Sequence, residues 1–153
     1  MGLEAMNLLF ISQKVDVEEI IKNNQDIVHT KGKYYVYTEE HKYWIDLQIQ
    51  ETVPKRLSFR ITLCNPKMEV LSSLFKLLTC LFESTQGVLL DLKTKEQFDR
   101  MNDITMKSIE NSYDMQKKVF ISLYGDITDA IGSDELSKRR QECHKKRLNM
   151  FKD

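Results

Sequence analysis

The chain is poor in the residues that usually mark specialised chemistry or an unusual architecture. Among 153 residues there are three cysteines, three histidines, two prolines, five glycines and one tryptophan. Cys64, Cys80 and Cys143 are odd in number and irregular in spacing, so they build no disulfide framework and suit a reducing cytoplasm. His29, His41 and His144 form no His-Glu-x-x-His pattern and no Cys-x-x-Cys accompanies them, which leaves no spaced ligand set for zinc. Cys143 and His144 are adjacent and would diverge on a helix. Scarce glycine and proline exclude collagen-like, linker-rich and repeat designs, and leave little material for a phosphate-cradling loop. No apolar run reaches the roughly 18–20 residues that cross a bilayer. The longest candidate, Val70 to Phe82, is broken by Ser72, Ser73, Lys76 and Thr79. Met1 to Ile11 lacks the basic stretch of a secretory signal. Net charge is absent too, with 23 basic against 23 acidic residues, which disfavours a strongly basic nucleic-acid binder. The expectation is a cytoplasmic protein that is not an enzyme, with no catalytic residue, no metal, no cofactor and no membrane association.

What is present is the makeup of one globular domain, with 41% apolar and 30% charged residues. Met1 to Ala5 are set aside as an extension, so the domain is expected over 6–153, with a core at about 8–93 and helices at about 96–150. Leu8 to Ile11 reads as a short strand, and Asp16 as the cap of a short helix carrying Val17, Ile20 and Ile21. Ile27 to Thr30, a turn at Lys31-Gly32-Lys33 and Tyr34 to Tyr37 read as a hairpin. Two segments alternate clearly, residues 43–50 and 57–63. Period two gives each one buried and one wet face, and predicts Ile45, Leu47, Phe59 and Ile61 inside an antiparallel sheet. Asn65-Pro66 suits a helix start, and the stripe Met68, Leu71, Leu74, Phe75, Leu78, Leu81, Phe82 predicts a helix over about 67–85, stopped by Gly87. Val88 to Leu92 reads as a strand more buried than the previous two. Phe98, Met101, Thr105, Ile109 and Tyr113 predict a helix from Lys95. Val119 to Tyr124 fits strand or helix; helix is taken, carried on Val119, Leu123, Ile127, Ala130 and Ile131, with Gly125 against it. Gly132-Ser133-Asp134 opens a last, polar helix. The order predicts an α+β fold, a largely antiparallel sheet with a ferredoxin-like β-α-β-β-α-β core, an extra hairpin strand and additional C-terminal helices.

Two surfaces stand out as candidate sites. Tyr34, Tyr35, Tyr37, Tyr43 and Trp44 place five aromatics within eleven positions. Alternation puts Trp44 on the polar side with Asp46, near Glu39 and Glu40. A large amphipathic side chain beside acids suits a protein interface; the alternative is that the C-terminal helices cover it as a second small core. The partner-binding candidates are therefore Glu39, Glu40, Trp44 and Asp46. Aromatics on such a sheet also suggest an RNA platform, but the glycine- and phenylalanine-containing motif is missing and the acids repel phosphate. The second surface is the tail, where residues 138–153 carry seven cations against two anions and leave the rest of the chain acidic. Lys138, Arg139, Arg140, Lys145, Lys146 and Arg147 are nucleic-acid-binding candidates. A solvated helix end with its cations favourably placed explains them equally simply.

The stretch Arg60-Ile61-Thr62-Leu63-Cys64-Asn65-Pro66, the apolar helix to Phe82, and Leu89-Leu90-Asp91-Leu92-Lys93-Thr94 together resemble the single-domain immunity proteins of bacterial toxin–immunity systems. What the resemblance implies is a mode of action, noncovalent occlusion of a toxin domain, often a nuclease. It carries over no site residue. The acidic excess ahead of the tail would suit a basic partner. The alternative expectation is a small nucleic-acid-associated protein using the basic segment and the tyrosines.

Overall fold

A computed structural model describes residues 4–12, 17–30, 33–38, 43–126 and 133–150; at 30, 33, 35–38, 43–44, 133–137, 147 and 150 the description covers the backbone alone. The described elements are β1 (Ala5–Ile11), α1 (Val17–Asn23), β2 (Val28–Thr30), β3 (Lys33–Thr38), β4 (Tyr43–Gln50), β5 (Arg56–Thr62), α2 (Lys67–Thr85), β6 (Val88–Asp91), β7 (Gln97–Phe98), α3 (Asp103–Tyr124) and α4 (Ser133–Met150). The strands form one sheet in the order β2-β3-β4-β5-β1-β6-β7, and every neighbouring pair is antiparallel. The class is α+β, as the element order predicts.

Register follows from the alternating patterns. Ile45 and Met6 flank Ile61, Leu47 and Leu8 flank Phe59, and Ile49 and Phe10 flank Leu57. These rows make one apolar face, with Met6, Leu8, Phe10, Ile45, Leu57, Phe59 and Ile61 all buried. A one-residue slip would turn all of them to water, so burial specifies the pairing strongly. Helix α2 closes over this face, packing across β4 and burying Val70, Leu71, Leu74, Leu77, Leu78 and Leu81. The opposite face carries Asn7, Asp46, Gln48, Gln50, Ser58 and Arg60, all at least partly exposed.

Several local expectations need correcting. The first residues take part in the fold, against their exclusion: Ala5 is buried in β1, and the Glu4 carbonyl accepts the Leu63 N–H at 2.8 Å. Asn65 does not cap α2. It is buried, and its side-chain amide turns back to donate to the Thr62 carbonyl at 2.6 Å and to Thr62 Oγ1 at 2.9 Å, leaving Pro66 at the cap position. Strand β6 is not more buried than β5: it alternates buried Leu89 and Asp91 with exposed Val88 and half-buried Leu90. The helix predicted from Lys95 begins later, at Asp103. Phe98 is paired with Leu89 in β7, and the Asn102 side chain accepts the Thr105 N–H at 2.9 Å. The apolar rhythm of Phe98 and Met101 ran continuously into the helix, so periodicity hid a boundary that the Asn102 cap marks.

Residues 119–124 are helical, and α3 ends at Gly125, whose φ of 88° few other residues adopt readily. The buried positions there are Phe120 and Tyr124, whereas Val119 is exposed. The expected cap Asp16, the turn at Lys31-Gly32, and Ile127 and Ile131 lie outside the described residues. Helix α3 crosses the end of the sheet where β5 leaves and α2 begins. There Tyr113 Oη donates to the Asn65 carbonyl at 3.3 Å, Lys117 Nζ donates to the Leu63 carbonyl, and Lys67 Nζ pairs with Asp114 at 2.8 Å and Glu110 at 3.3 Å. Helix α4 packs on α3. No described helix is long and apolar enough to cross a membrane.

Candidate functional site

The polar face of the sheet gathers a set of interacting charged groups from several elements. Asp46 of β4 lies directly opposite Arg60 of β5, and Arg60 directly opposite Asn7 of β1. Arg60 reaches both ways, with Nη1 3.6 Å from Asp46 Oδ2 and Nη2 3.3 Å from Glu4 Oε1. The second Glu4 oxygen accepts the Tyr124 hydroxyl at 2.9 Å. Arg140 of α4 stands beside Tyr124 and interacts with its hydroxyl. A continuous polar chain thus runs from β4 across β5 and the start of β1 to α3 and α4.

Asp46, Arg60 and Glu4 each keep a third or more of their side chains exposed. Exposed pairs of this kind contribute only about 0–1 kcal/mol each to the fold. Their consequence is positional: opposite charges lie paired across one face while still meeting water. The Tyr124 hydroxyl titrates above its ordinary value, because burial disfavours the phenolate and the Glu4 carboxylate beside it adds to that.

Of the predicted partner-binding residues, Asp46 joins this chain. Glu39 and Glu40 lie outside the described residues. Of Trp44 the backbone alone is described, paired with Tyr37. On α4, Lys138, Arg139, Arg140, Lys145 and Lys146 are exposed, while the Arg147 side chain lies outside the described residues. Arg140 is the one of these that the structure brings to Asp46, through Tyr124, Glu4 and Arg60. Three members went unremarked in the sequence. Arg60 was findable, since two alternating strands paired in register put an even-numbered acid opposite an even-numbered base. Glu4 had been set aside with the first residues. Tyr124 carries no local signal, being 120 residues from its carboxylate partner.

Among the described residues no group of three His, Cys, Asp or Glu side chains is placed to hold a metal ion. Cys64 is buried, and Cys80 and Cys143 are partly buried, all as free thiols.

The buried phenols give the protein a definite response to base. Tyr113 is buried, and burial first, then the Cys64 and Asp114 charges, push its hydroxyl well above the ordinary value of 10.0. In the unfolded chain that hydroxyl ionises above about pH 10, while in the folded chain it stays protonated. The unfolded state then binds fewer protons, so stability must fall as pH rises beyond about 10. Lys67, raised by Asp114 and Glu110, adds to the loss at its upper end. Lys117, lowered by burial, opposes it below the unfolded lysine value of 10.5. Urea unfolding across this range is expected to show a decline of about 1.4 kcal/mol per pH unit from Tyr113, flattened in Tyr113→Phe. An unchanged slope in that variant would show that Tyr113 ionises freely in the fold.

No family model matches the chain, and neither does any curated protein or solved structure.

Proposed function

We propose that this chain is a binding protein that acts by noncovalent occlusion of a protein partner, in the manner of toxin-neutralising immunity proteins, with the polar sheet face as its contact surface. The observation that carries the reading is the chain Asp46–Arg60–Glu4–Tyr124, three partly exposed charges paired with one another and joined to the buried Tyr124 hydroxyl. Pre-ordered side chains lose little conformational freedom on association, which lowers the entropic cost of binding. Alternating charges on such a face favour a complementary partner and raise its association rate, an effect that salt screens. Glu39, Glu40 and Trp44 remain proposed members of the same surface, at the β3–β4 end. The protein is proposed to work in the cytoplasm, which its free thiols suit. The strand order β4-β5-β1-β6, with α1 and α2 as crossovers, supports reading that part as a ferredoxin-like unit extended by the β2–β3 hairpin and β7.

The test is a growth assay. The product of an adjacent reading frame is expected to arrest growth when expressed alone, and co-expression of this chain to relieve the arrest. Arg60→Ala should weaken that relief, since it unlinks Asp46 from Glu4, while leaving the melting temperature nearly unchanged. If the adjacent product is harmless, or co-expression never relieves its effect, the reading fails.

A second reading rests on the exposure of Lys138, Arg139, Arg140, Lys145 and Lys146 on α4. It makes α4 a contact for nucleic-acid phosphates. Double-stranded DNA affinity that falls steeply with salt, and that is lost on Lys145→Ala/Lys146→Ala, would favour it over the first.

A further inference from the structure

Arg56 opens β5 on the same face of that strand as Ser58 and Arg60. In register it stands directly opposite Gln50 of β4 on one side and Ile11 of β1 on the other, and Ile11 in turn stands opposite Val88 of β6. Facing residues of an antiparallel ladder project to the same side, so Gln50, Arg56, Ile11 and Val88 form one row across the polar face. All of them are at least partly exposed. Within this row the guanidinium lacks a counterpart. Arg56 Nε is sealed from solvent and, among the described residues, has no hydrogen-bond partner, a condition that no other buried side-chain nitrogen or oxygen among them shares. The polar groups beside it are engaged with each other, as Gln50 Nε2 donates to Ser58 Oγ at 2.9 Å. Arg60, further along the same face, differs in being paired with Asp46 and Glu4. A cation that has given up water at one nitrogen without gaining an acceptor costs the fold free energy, and such a group calls for an explanation outside the fold.

We propose that Arg56 anchors an acidic side chain of the protein partner, a carboxylate seated on the terminal nitrogens of its guanidinium. The inference deepens the proposed function and rests on its reading of a protein partner. Nη1 and Nη2 are not sealed as Nε is, and together they can meet both oxygens of one carboxylate in a bidentate fork. Because part of the cation is already dry, it attracts an incoming charge more strongly than a fully hydrated surface arginine does. The balance of charge selects a monoanion. A phosphate dianion calls for several cations, whereas Arg60, the next arginine of that face, is already shared between two carboxylates. The chain ahead of its basic C-terminal segment is acidic overall, which repels polyanions. One guanidinium matches one carboxylate. The aliphatic end of the row favours a carboxylate carried on a methylene stem, since Ile11 and the 38% exposed Val88 offer that stem an apolar bed. On a partner that is basic elsewhere, a single acid set opposite Arg56 would also fix the register of docking.

The probe is the blocked peptide acetyl-Gly-Glu-Gly-amide, titrated into the isotope-labelled full chain at low salt and near-neutral pH. The expected result is saturable movement of the Arg56 Nε–H and the Ile11 and Leu57 amide resonances. Acetyl-Gly-Gln-Gly-amide, its neutral counterpart, is expected to bind about two- to fivefold more weakly, as loss of an exposed ion pair would give. Arg56→Met is expected to abolish that preference for glutamate. The same variant should keep or raise the melting temperature, because it retains an apolar stem and removes an unsatisfied donor. A clearly lowered melting temperature would assign the guanidinium to the fold and overturn the proposal. No saturable shift on the unaltered chain overturns it as well, as does an equal response to the glutamine peptide. Inorganic phosphate moving the same resonances more strongly than the glutamate peptide, at matched ionic strength, would make this a phosphate site. Binding of acetate without binding of the blocked peptide would make it a small-molecule site. Either outcome overturns the partner side chain as occupant. Because the titration needs no partner, its failure is separate from failure of the growth assay. A negative titration with positive toxin relief removes the Arg56 anchor alone.

Discussion

Phe59→Ala is expected to destabilise the protein by about 3–5 kcal/mol, the range for truncating a fully buried phenylalanine. Phe59 is 1% exposed and sits mid-strand in β5, with Leu8 opposite it on one side and Leu47 on the other. Its ring is therefore enclosed by three strands and the helix above them, and no neighbour can collapse into the void without breaking register. A loss of that size consumes a large share of the roughly 5–15 kcal/mol that holds an ordinary domain together. Met68→Ala is the matched control, because Met68 is 71% exposed on the first turn of α2 and should change stability by no more than about 0.5 kcal/mol. Denaturant titration of both variants gives the comparison. A cost below about 1 kcal/mol for Phe59→Ala would remove Phe59 from the packed core.

At the far end of α2, two adjacent residues are expected to respond with opposite signs. Gly87→Ala should destabilise by about 1–3 kcal/mol or more, as overpacking does. A methyl group there would meet Phe10 Cζ at 2.4 Å and the Ile11 carbonyl oxygen at 2.6 Å. Phe10 is fully buried and packed edge-on against Phe82, with centroids 5.2 Å apart, so its ring has nowhere to turn. The Ile11 oxygen belongs to the β1–β6 ladder and cannot give way without cost. Gln86→Gly, one residue earlier, should stabilise by a few tenths to about 1 kcal/mol. Gln86 is the residue that takes the left-handed conformation, at φ 52°, and its N–H returns to the Phe82 carbonyl at 3.4 Å. Unfolding curves for the pair decide the matter. A neutral Gly87→Ala beside a destabilising Gln86→Gly would mean that the helix stop lies at the glycine after all.

The glycine at 87 illustrates how a correct expectation can rest on the wrong cause. Glycine after an apolar helix signals a stop because it adopts positive φ cheaply, and α2 does stop there. Yet the left-handed turn falls on Gln86, and glycine is needed at 87 because β1 passes too close for any side chain. Asn65 is similar. Its place before proline suggested a cap, but the Thr62 hydroxyl and carbonyl, brought near by the end of β5, bind its amide instead.

The sequence by itself determined the α+β class, the place of residues 43–50 and 57–63 as half-buried strands of an antiparallel sheet, the span of α2 and the polar character of α4. All of these rest on local signals, a period of two, a period near 3.6 and the scarcity of glycine and proline within elements, and such signals survive without knowledge of what lies opposite. Only the tertiary structure decided that β1 runs between β5 and β6, that α3 begins at an Asn102 cap, and that Glu4, Arg60, Asp46 and Tyr124 share one face. It alone decided that His29 and Tyr34 stack in a cleft beside α1. The reason is physical: each of these groupings depends on strand order and on side chains far apart in the chain, and periodicity fixes which face a residue takes without fixing what that face will meet.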